Sequence, residues 1–267
     1  MMSINEAIAT LAPEWQLDAI ENIEFLAGGY SNSNYSVRYA GREYVVRVPG
    51  RVQPFVDRAH EQAWLENLPL NIGAEVIAFD RQTGAMLSRW VEGTLLVDWW
   101  GSLQPSQEPS LLVSFLVDLH SQLPDAGRIY DLEALVDAYG VSEFRPLLAN
   151  GSVTTCHNDL NPWNIIVTED GWTTLDWEFV GNNDPIFDLV SLHQGLELPE
   201  DELLDLVRLY MHTREPELDA DPKARLAACL HNYWLREYGW AVDQLARGSE
   251  REEVKDQRSM ALKKLRA

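Results

Sequence analysis

An acid and an amide five residues apart, in the run Cys156-His157-Asn158-Asp159-Leu160-Asn161-Pro162-Trp163-Asn164, are the residues of this sequence best suited to chemistry. The run has the spacing H-x-D-x-x-x-x-N and follows a stretch predicted to be a strand, which is the setting of a catalytic loop for phosphoryl transfer. That reaction needs a carboxylate to accept a hydrogen bond from the attacking hydroxyl and an oxygen ligand for Mg²⁺; Asp159 supplies the first and Asn164 the second. Twelve residues beyond Asn164, Leu175-Asp176-Trp177-Glu178 puts another carboxylate at a strand end. Magnesium takes hard oxygen ligands and keeps waters and phosphate oxygens in its shell, so Asn164 with Asp176 is a sufficient protein contribution. Glu178 is then placed to orient a metal-bound water or a substrate. Asp and Asn are also common turn formers, and any one of them alone reads as a turn. All three in register near strand ends point to chemistry instead. His157 reads as structural, bonding the loop backbone.

Upstream, Leu26-Ala27-Gly28-Gly29-Tyr30-Ser31-Asn32-Ser33-Asn34-Tyr35 lies between two predicted strands, where Gly29, Ser31 and Asn32 can bring backbone N–H groups to phosphates. It lacks the Walker A spacing, and by itself it reads better as a plain hairpin. The next strand carries Val45-Val46-Arg47-Val48, and fourteen residues after Arg47 comes Glu61, on a predicted helix. A strand cation paired with a helical Glu is the arrangement that fixes the α- and β-phosphates in kinases. Taken alone the pair is also readable as an ordinary surface salt bridge. Here the cation is Arg, whose planar fork contacts two phosphate oxygens where Lys offers a point charge.

The elements that would position these groups change character along the chain. Strands are predicted over 21–27, 35–39, 43–48, 75–79 and 85–90, with a hairpin turn at Gly41-Arg42 and one interrupting helix over 56–68. Beyond Gly93 the periodicity is helical, over 111–123, 132–139, 200–210, 223–247 and a charged segment from Arg251. One strand-rich island, 153–175, turns at Thr168-Glu169-Asp170-Gly171. The expected division is 1–92, a nucleotide-binding lobe, and 93–267, a helical catalytic and acceptor-binding lobe, joined at Val91-Glu92-Gly93.

Composition narrows the partners. The 267 residues carry 21 basic and 42 acidic side chains, a formal charge of -21, which disfavours a phosphate-tracking nucleic-acid surface and suits a cationic ligand. Hydrophobic residues at 46% with ten tryptophans are far too apolar for a disordered chain. Cys156 and Cys229 form neither a disulfide framework nor a zinc motif, and a reducing cytoplasm is expected. No apolar run approaches the roughly 20 residues of a membrane span, and the acidic first twenty residues do not read as a signal peptide.

In this order the motifs resemble the choline/ethanolamine kinase family, within the aminoglycoside phosphotransferase-like superfamily. The resemblance rests on Gly28-Gly29-Tyr30-Ser31-Asn32, Arg47-Val48-Pro49-Gly50, Arg58-x-x-Glu61, Cys156-His157-Asn158-Asp159, Asp176-Trp177-Glu178 and Asp184-Pro185-Ile186-Phe187-Asp188-Leu189. It implies an α+β, two-lobed protein-kinase-like fold, with a small antiparallel sheet and one helix in the N-lobe and a mostly helical C-lobe. It further implies Asp159 as catalytic base, Asn164 and Asp176 on Mg²⁺, ATP on Ser31, Asn32 and Arg47, and Asp188 as a brace of the loop. Aminoglycoside kinases usually have Gly at the position of Asn158 and Lys at that of Arg47, which tilts the resemblance towards the choline type. The expected activity is ATP- and Mg²⁺-dependent phosphorylation of a small cationic alcohol such as choline or ethanolamine. Thiamine and aminoglycoside kinases are the enzymatic alternatives, and a nucleotide-binding pseudokinase is the alternative of another class. Tyr233, Trp234, Tyr238 and Trp240 cluster on one predicted helix, where aromatic faces hold a quaternary ammonium or simply form core. Trp234 and Trp240 are the acceptor candidates.

Overall fold

Ser3 and Glu6 cap each other's backbone N–H groups in a capping box, and this reciprocal pair starts a helix outside those predicted, with Ile4, Ala7, Ile8 and Leu11 at helical spacing. The computed structural model describes residues 2–26, 31–50, 52–102, 109–149 and 151–267. In chain order the elements are α1 (Ile4–Leu11), β1 (Ile20–Leu26), β2 (Asn32–Tyr39), β3 (Arg42–Pro49), α2 (Arg58–Leu65), β4 (Val76–Asp80), β5 (Ala85–Arg89), β6 (Thr94–Leu95) and α3 (Leu96–Ser102). There follow α4 (Ser110–Gln122), α5 (Leu132–Tyr139), β7 (Thr154–Cys156), β8 (Ile165–Val167), β9 (Trp172–Thr174), β10 (Gly181–Asn183), α6 (Ile186–Gly195), α7 (Glu200–Arg214), α8 (Pro222–Ala246) and α9 (Glu252–Leu265). Packing divides the chain into a first unit, 1–101 with 163–178, and a second, 102–162 with 179–267. This departs from a contiguous cut at 92/93, because β6 pairs with β8 and so draws the β8–β9 hairpin into the first unit.

In the first unit an antiparallel sheet runs in the order β1-β2-β3-β5-β4. Its central strand β3 is buried at Val46 and Val48, and α1 lays Ala7, Ile8 and Leu11 on the same core with Val37, Tyr44 and Leu87. Consecutive positive φ values at Ala40 and Gly41 form the tight β2–β3 turn. Asp57 caps α2, accepting from the N–H groups of Ala59 and His60.

The second unit is helical around α6, whose residues 186–193 are all buried. A helix covered on every side sits at the centre of a bundle; α4, α7 and α8 pack on it, and α5 and α9 pack on α8. Asp131 caps α5, and Gly140 ends it with φ 73°, the left-handed conformation that glycine adopts without strain. Strands β7 and β10 pair antiparallel, Cys156 opposite Gly181. Among the described residues no helix is long and apolar enough to cross a membrane.

Candidate functional site

In the first unit the predicted cation and its partners meet. Arg47, on β3, donates from Nη1 to Glu61 Oε1 of α2 at 2.6 Å and to Asp176 Oδ1 at 3.4 Å. Its Nε and Nη2 both reach the carbonyl oxygen of Gly84, at 3.1 and 2.9 Å. Gly84 has φ +86°, and a Cβ there would lie 2.4 Å from Arg58 Nε, so both conformation and space require glycine. Burial pushes the Arg47 guanidinium down, and the carboxylates of Glu61, Asp176 and Glu178 more than reverse this and leave it raised. It is a permanent cation.

Glu61 is shared, its Oε2 accepting from Arg58 Nη1 at 2.6 Å, and the same nitrogen reaches Glu178 Oε2 at 2.9 Å. Asn32 Nδ2 also donates to Glu178 Oε2, at 3.4 Å, and Asn32 Oδ1 accepts from the Gly50 N–H at 3.4 Å. A Cβ at Gly50 would come within 2.0 Å of the Ser31 carbonyl oxygen, so the close approach of the Arg47-Val48-Pro49-Gly50 strand end to Ser31 needs glycine there. Ser31 Oγ accepts from Gln53 Nε2 at 3.3 Å. Gly29 lies outside the described residues.

The β8–β9 hairpin explains how residues twelve apart in sequence are neighbours. Ile165 pairs with Thr174, and the Leu175 N–H donates to the Asn164 carbonyl at 2.8 Å, which brings Asn164 beside the start of Leu175-Asp176. The expected turn at 168–171 closes with the Thr168 N–H on the Gly171 carbonyl, 2.8 Å. Asp176 has φ +58°, a left-handed conformation that is uncommon for a residue with a side chain and clusters at functional positions. Carboxylate oxygens of Glu61, Asp176 and Glu178 lie within 4.8 Å of one another. Glu61 and Glu178 are buried under guanidinium groups, while Asp176 is 34% exposed. Asp176 is therefore the carboxylate of this set with the exposure a metal ligand needs, and Asn164, whose carbonyl meets the Leu175 N–H, carries an amide oxygen of the hard type that suits Mg²⁺. Glu178 serves here as an anchor for Arg58 and Asn32.

Asp159 belongs to the second unit. The loop that carries it is fixed from α6: Asp188 accepts the N–H groups of His157 and Asn158 at 2.8 and 2.9 Å. Asp188 in turn meets His120 Nε2 at 3.2 Å, whose Nδ1 lies 2.8 Å from the Tyr210 hydroxyl. His157 is fully buried, and its Nδ1 accepts the Asp159 N–H at 3.3 Å. Asn158 has φ +64°, and its side-chain amide donates to the carbonyls of Cys156, Phe179 and Gly181 at 3.1, 3.1 and 3.0 Å. A left-handed position favours Gly or Asn, so Asn158 answers a backbone requirement. The Asp159 carboxylate itself is bonded through Oδ1 to Arg236 of α8 and, at 3.4 Å, to Asn161 Nδ2.

The aromatic cluster on α8 is mostly interior. Tyr233, Trp234 and Tyr238 are all under 9% exposed, and Tyr233 and Trp234 stack edge to face at 5.0 Å. The Lys264 ammonium lies 5.9 Å from the centre of the Trp234 ring, so that face already carries a cation of the chain. Trp240 is partly exposed on the same helix.

Three residues went unrecognised in the sequence: Gly84, which receives Arg47; Arg58 as the partner of Glu178; and Arg236. The last had a signal, a lone arginine among Tyr233, Trp234, Leu235 and Tyr238 on an apolar stretch, where a buried charge needs a partner.

The model of the phosphotransferase enzyme family matches residues 22–139 and 130–225. Protein LicA of Haemophilus influenzae is 24% identical over 211 residues, 68% of this chain and 61% of the relative, so the chain spans about three fifths of that protein's length. Among solved structures, choline kinase LicA from Streptococcus pneumoniae superposes with a TM-score of 0.75 at 20% identity, covering 98% of this chain and 97% of the other. A choline/ethanolamine kinase family protein from Mesorhizobium loti gives 0.71 at 22% identity, with 99% and 94% covered. At these identities the likeness shows the fold, which is the protein-kinase-like one expected from the motifs.

Proposed function

The chain belongs to the phosphotransferase enzyme family, and from that premise we propose that it transfers the γ-phosphate of ATP to the hydroxyl of a small cationic alcohol of the choline or ethanolamine kind. The observation that carries the reading is Asp176, a left-handed carboxylate 34% exposed, 3.4 Å from the buried Arg47 cation and beside Asn164 on the same hairpin. Arg47 and Asp176 together supply what a nucleotide triphosphate with its metal requires, a fixed cation for phosphate oxygens and a hard anionic ligand. Asp176 and Asn164 would hold Mg²⁺, which when bound would supply positive charge against the charge developing in the transfer.

The chain's own residues do the rest. Glu61 holds Arg47 in place with a 2.6 Å bond, and Ser31 and Asn32, at the start of β2, take part in binding the phosphates. Asp159 accepts a hydrogen bond from the acceptor hydroxyl and takes its proton as the oxygen attacks phosphorus. The named activities of the relatives, choline kinase and choline/ethanolamine kinase, favour that acceptor class. The overall charge of -21 supports a cationic one. Cys156 and Cys229, both buried free thiols, fit a reducing cytoplasm.

The test is ADP release from ATP and Mg²⁺ with choline, ethanolamine, thiamine or an aminoglycoside offered separately. Choline or ethanolamine should give the highest kcat/KM, and Asp176→Ala should abolish Mg²⁺-dependent nucleotide binding by calorimetry. Preference for thiamine or the aminoglycoside would reassign the acceptor, and nucleotide binding without turnover would make the chain a pseudokinase.

A further inference from the structure

The backbone of the catalytic loop is held from several sides, by Asp188 on two N–H groups and by Asn158 on three carbonyls. None of these bonds fixes the Asp159 side chain, which keeps two torsions of its own. That freedom matters for a group that must meet a hydroxyl, because a displacement of about 1 Å costs on the order of 10²-fold in rate. Oδ1 takes one contact from within the loop, Asn161 Nδ2 at 3.4 Å, and another from a helix far along the chain. Arg236 Nη2 donates to Asp159 Oδ1 from α8, 77 residues further along the chain.

Arg236 is built into its position. Its side chain is 11% exposed, its Nη1 lies 3.4 Å from Glu237 Oε1, and its guanidinium carbon lies 5.8 Å from the centre of the Phe179 ring. Glu237 is held in turn by Gln257 of α9, whose Nε2 donates to Oε2 at 2.7 Å. Burying a guanidinium costs several kcal/mol unless its partners are well placed, and a planar fork constrains a carboxylate in a way that an ammonium does not.

We propose that Arg236 is a positioning residue for phosphoryl transfer: it fixes the Asp159 carboxylate through Oδ1 and acts on the transfer step only through that carboxylate. The proposal rests on Asp159 being the group that receives the acceptor hydroxyl. Arg236 itself needs no contact with either substrate, and its removal lowers kcat while the KM for ATP holds.

The experiment is a double-mutant cycle. ADP release from ATP and Mg²⁺ is measured with choline as acceptor and with water alone, for wild type, Asp159→Asn, Arg236→Ala, Arg236→Lys and the Asp159→Asn/Arg236→Ala pair, with thermal melts of each. Arg236→Ala should lower kcat about 10- to 100-fold with the ATP KM within about 2-fold. In the Asp159→Asn background the same substitution should change kcat by less than about 2-fold, since its target is already gone. Guanidinium chloride at tens of millimolar should restore about 5-fold or more to Arg236→Ala, while equimolar sodium chloride restores nothing and the double variant does not respond. Should Arg236→Ala fail to fold, Arg236→Lys carries the test, with a kcat loss of about 3- to 10-fold that disappears when Asp159→Asn is added. Equal losses in both backgrounds, absence of guanidinium rescue, or a rise in kcat would overturn the role given to Arg236. Undiminished turnover by Asp159→Asn, or no ADP release by wild type with either acceptor, would overturn instead the reading on which the proposal stands.

Discussion

Arg47 in the first unit and Arg225 in the second are both buried arginines ringed by acids, yet they do different things. Arg225 makes three contacts of 2.8 to 3.0 Å to Asp184 and bonds Glu215 through both Nη atoms, and Glu215 also accepts from Ser152. Its carboxylate partners are 8% and 7% exposed, so every charge is spent inside. Arg47 bonds the fully buried Glu61 but also touches Asp176, which is 34% exposed. Buried charge alone therefore does not mark a site. A network closed on itself is a staple between chain segments, and one that includes a carboxylate a third exposed has a side that solvent or a ligand can reach.

The sharpest way to break this contrast is to remove each cation in turn. Arg225→Met leaves Asp184 and Glu215 buried and unpaired, and should cost about 3 to 5 kcal/mol in urea unfolding while the ATP KM of the folded protein is unchanged. A loss below about 1 kcal/mol, or a raised KM, would mean the second network is not a staple. Arg47→Ala should raise the ATP KM about 10- to 30-fold, and Arg47→Lys should fall between it and wild type, because the charge remains and the fork is lost. Steady-state kinetics at saturating acceptor decide this, and equal KM values across the three would reduce Arg47 to a staple as well.

Glu237 is the intermediate case, buried like Glu215 and sharing its guanidinium with Asp159. Burial pushes its carboxyl up, against the lowering pull of Arg236. A folded value above the unfolded one means that the native state holds the proton more tightly, so Glu237 costs stability as pH rises through its folded value. Glu237→Gln should therefore melt slightly higher than wild type at pH 8, with the gain shrinking as pH falls and vanishing by about pH 3, where both states of the wild type are protonated. A difference independent of pH would sink the assignment.

Much of this was legible from pattern. The five sheet strands and the helices at 132–139 and 223–247 lie within a few residues of where strand composition and helical periodicity put them. The turn at 168–171 was legible from its residues, and it is what joins Asn164 to Asp176. Helix α1 was missed although Ile4, Ala7, Ile8 and Leu11 hold helical spacing; that stripe and the Ser3-x-x-Glu6 box were the usable signs. Helix α3 was missed because Leu95-Leu96-Val97 reads equally as strand. Arg47 and Glu61 were legible as a pair because strand and helix follow each other directly. The Arg58–Glu178 and Arg236–Asp159 pairs span 120 and 77 residues, and periodicity, which reports local faces, says nothing about which distant buried charges will meet. The weight placed on Asn158 as a mark of acceptor type is better spent on its φ of +64°.

The division of the first unit between 1–101 and 163–178 also has a consequence for synthesis on the ribosome. Arg58 is made 120 residues before Glu178, an interval of roughly 6 to 24 s at about 5–20 residues per second. Until then Arg58 can have Glu61 but not Glu178 as a partner, and β6 lacks the β8 strand with which it pairs. Helices α4 and α5 emerge in the meantime. The first unit is thus still incomplete when residues of the second are already being made, and a fragment ending at residue 101 would lack the hairpin that carries Asn164 and Asp176.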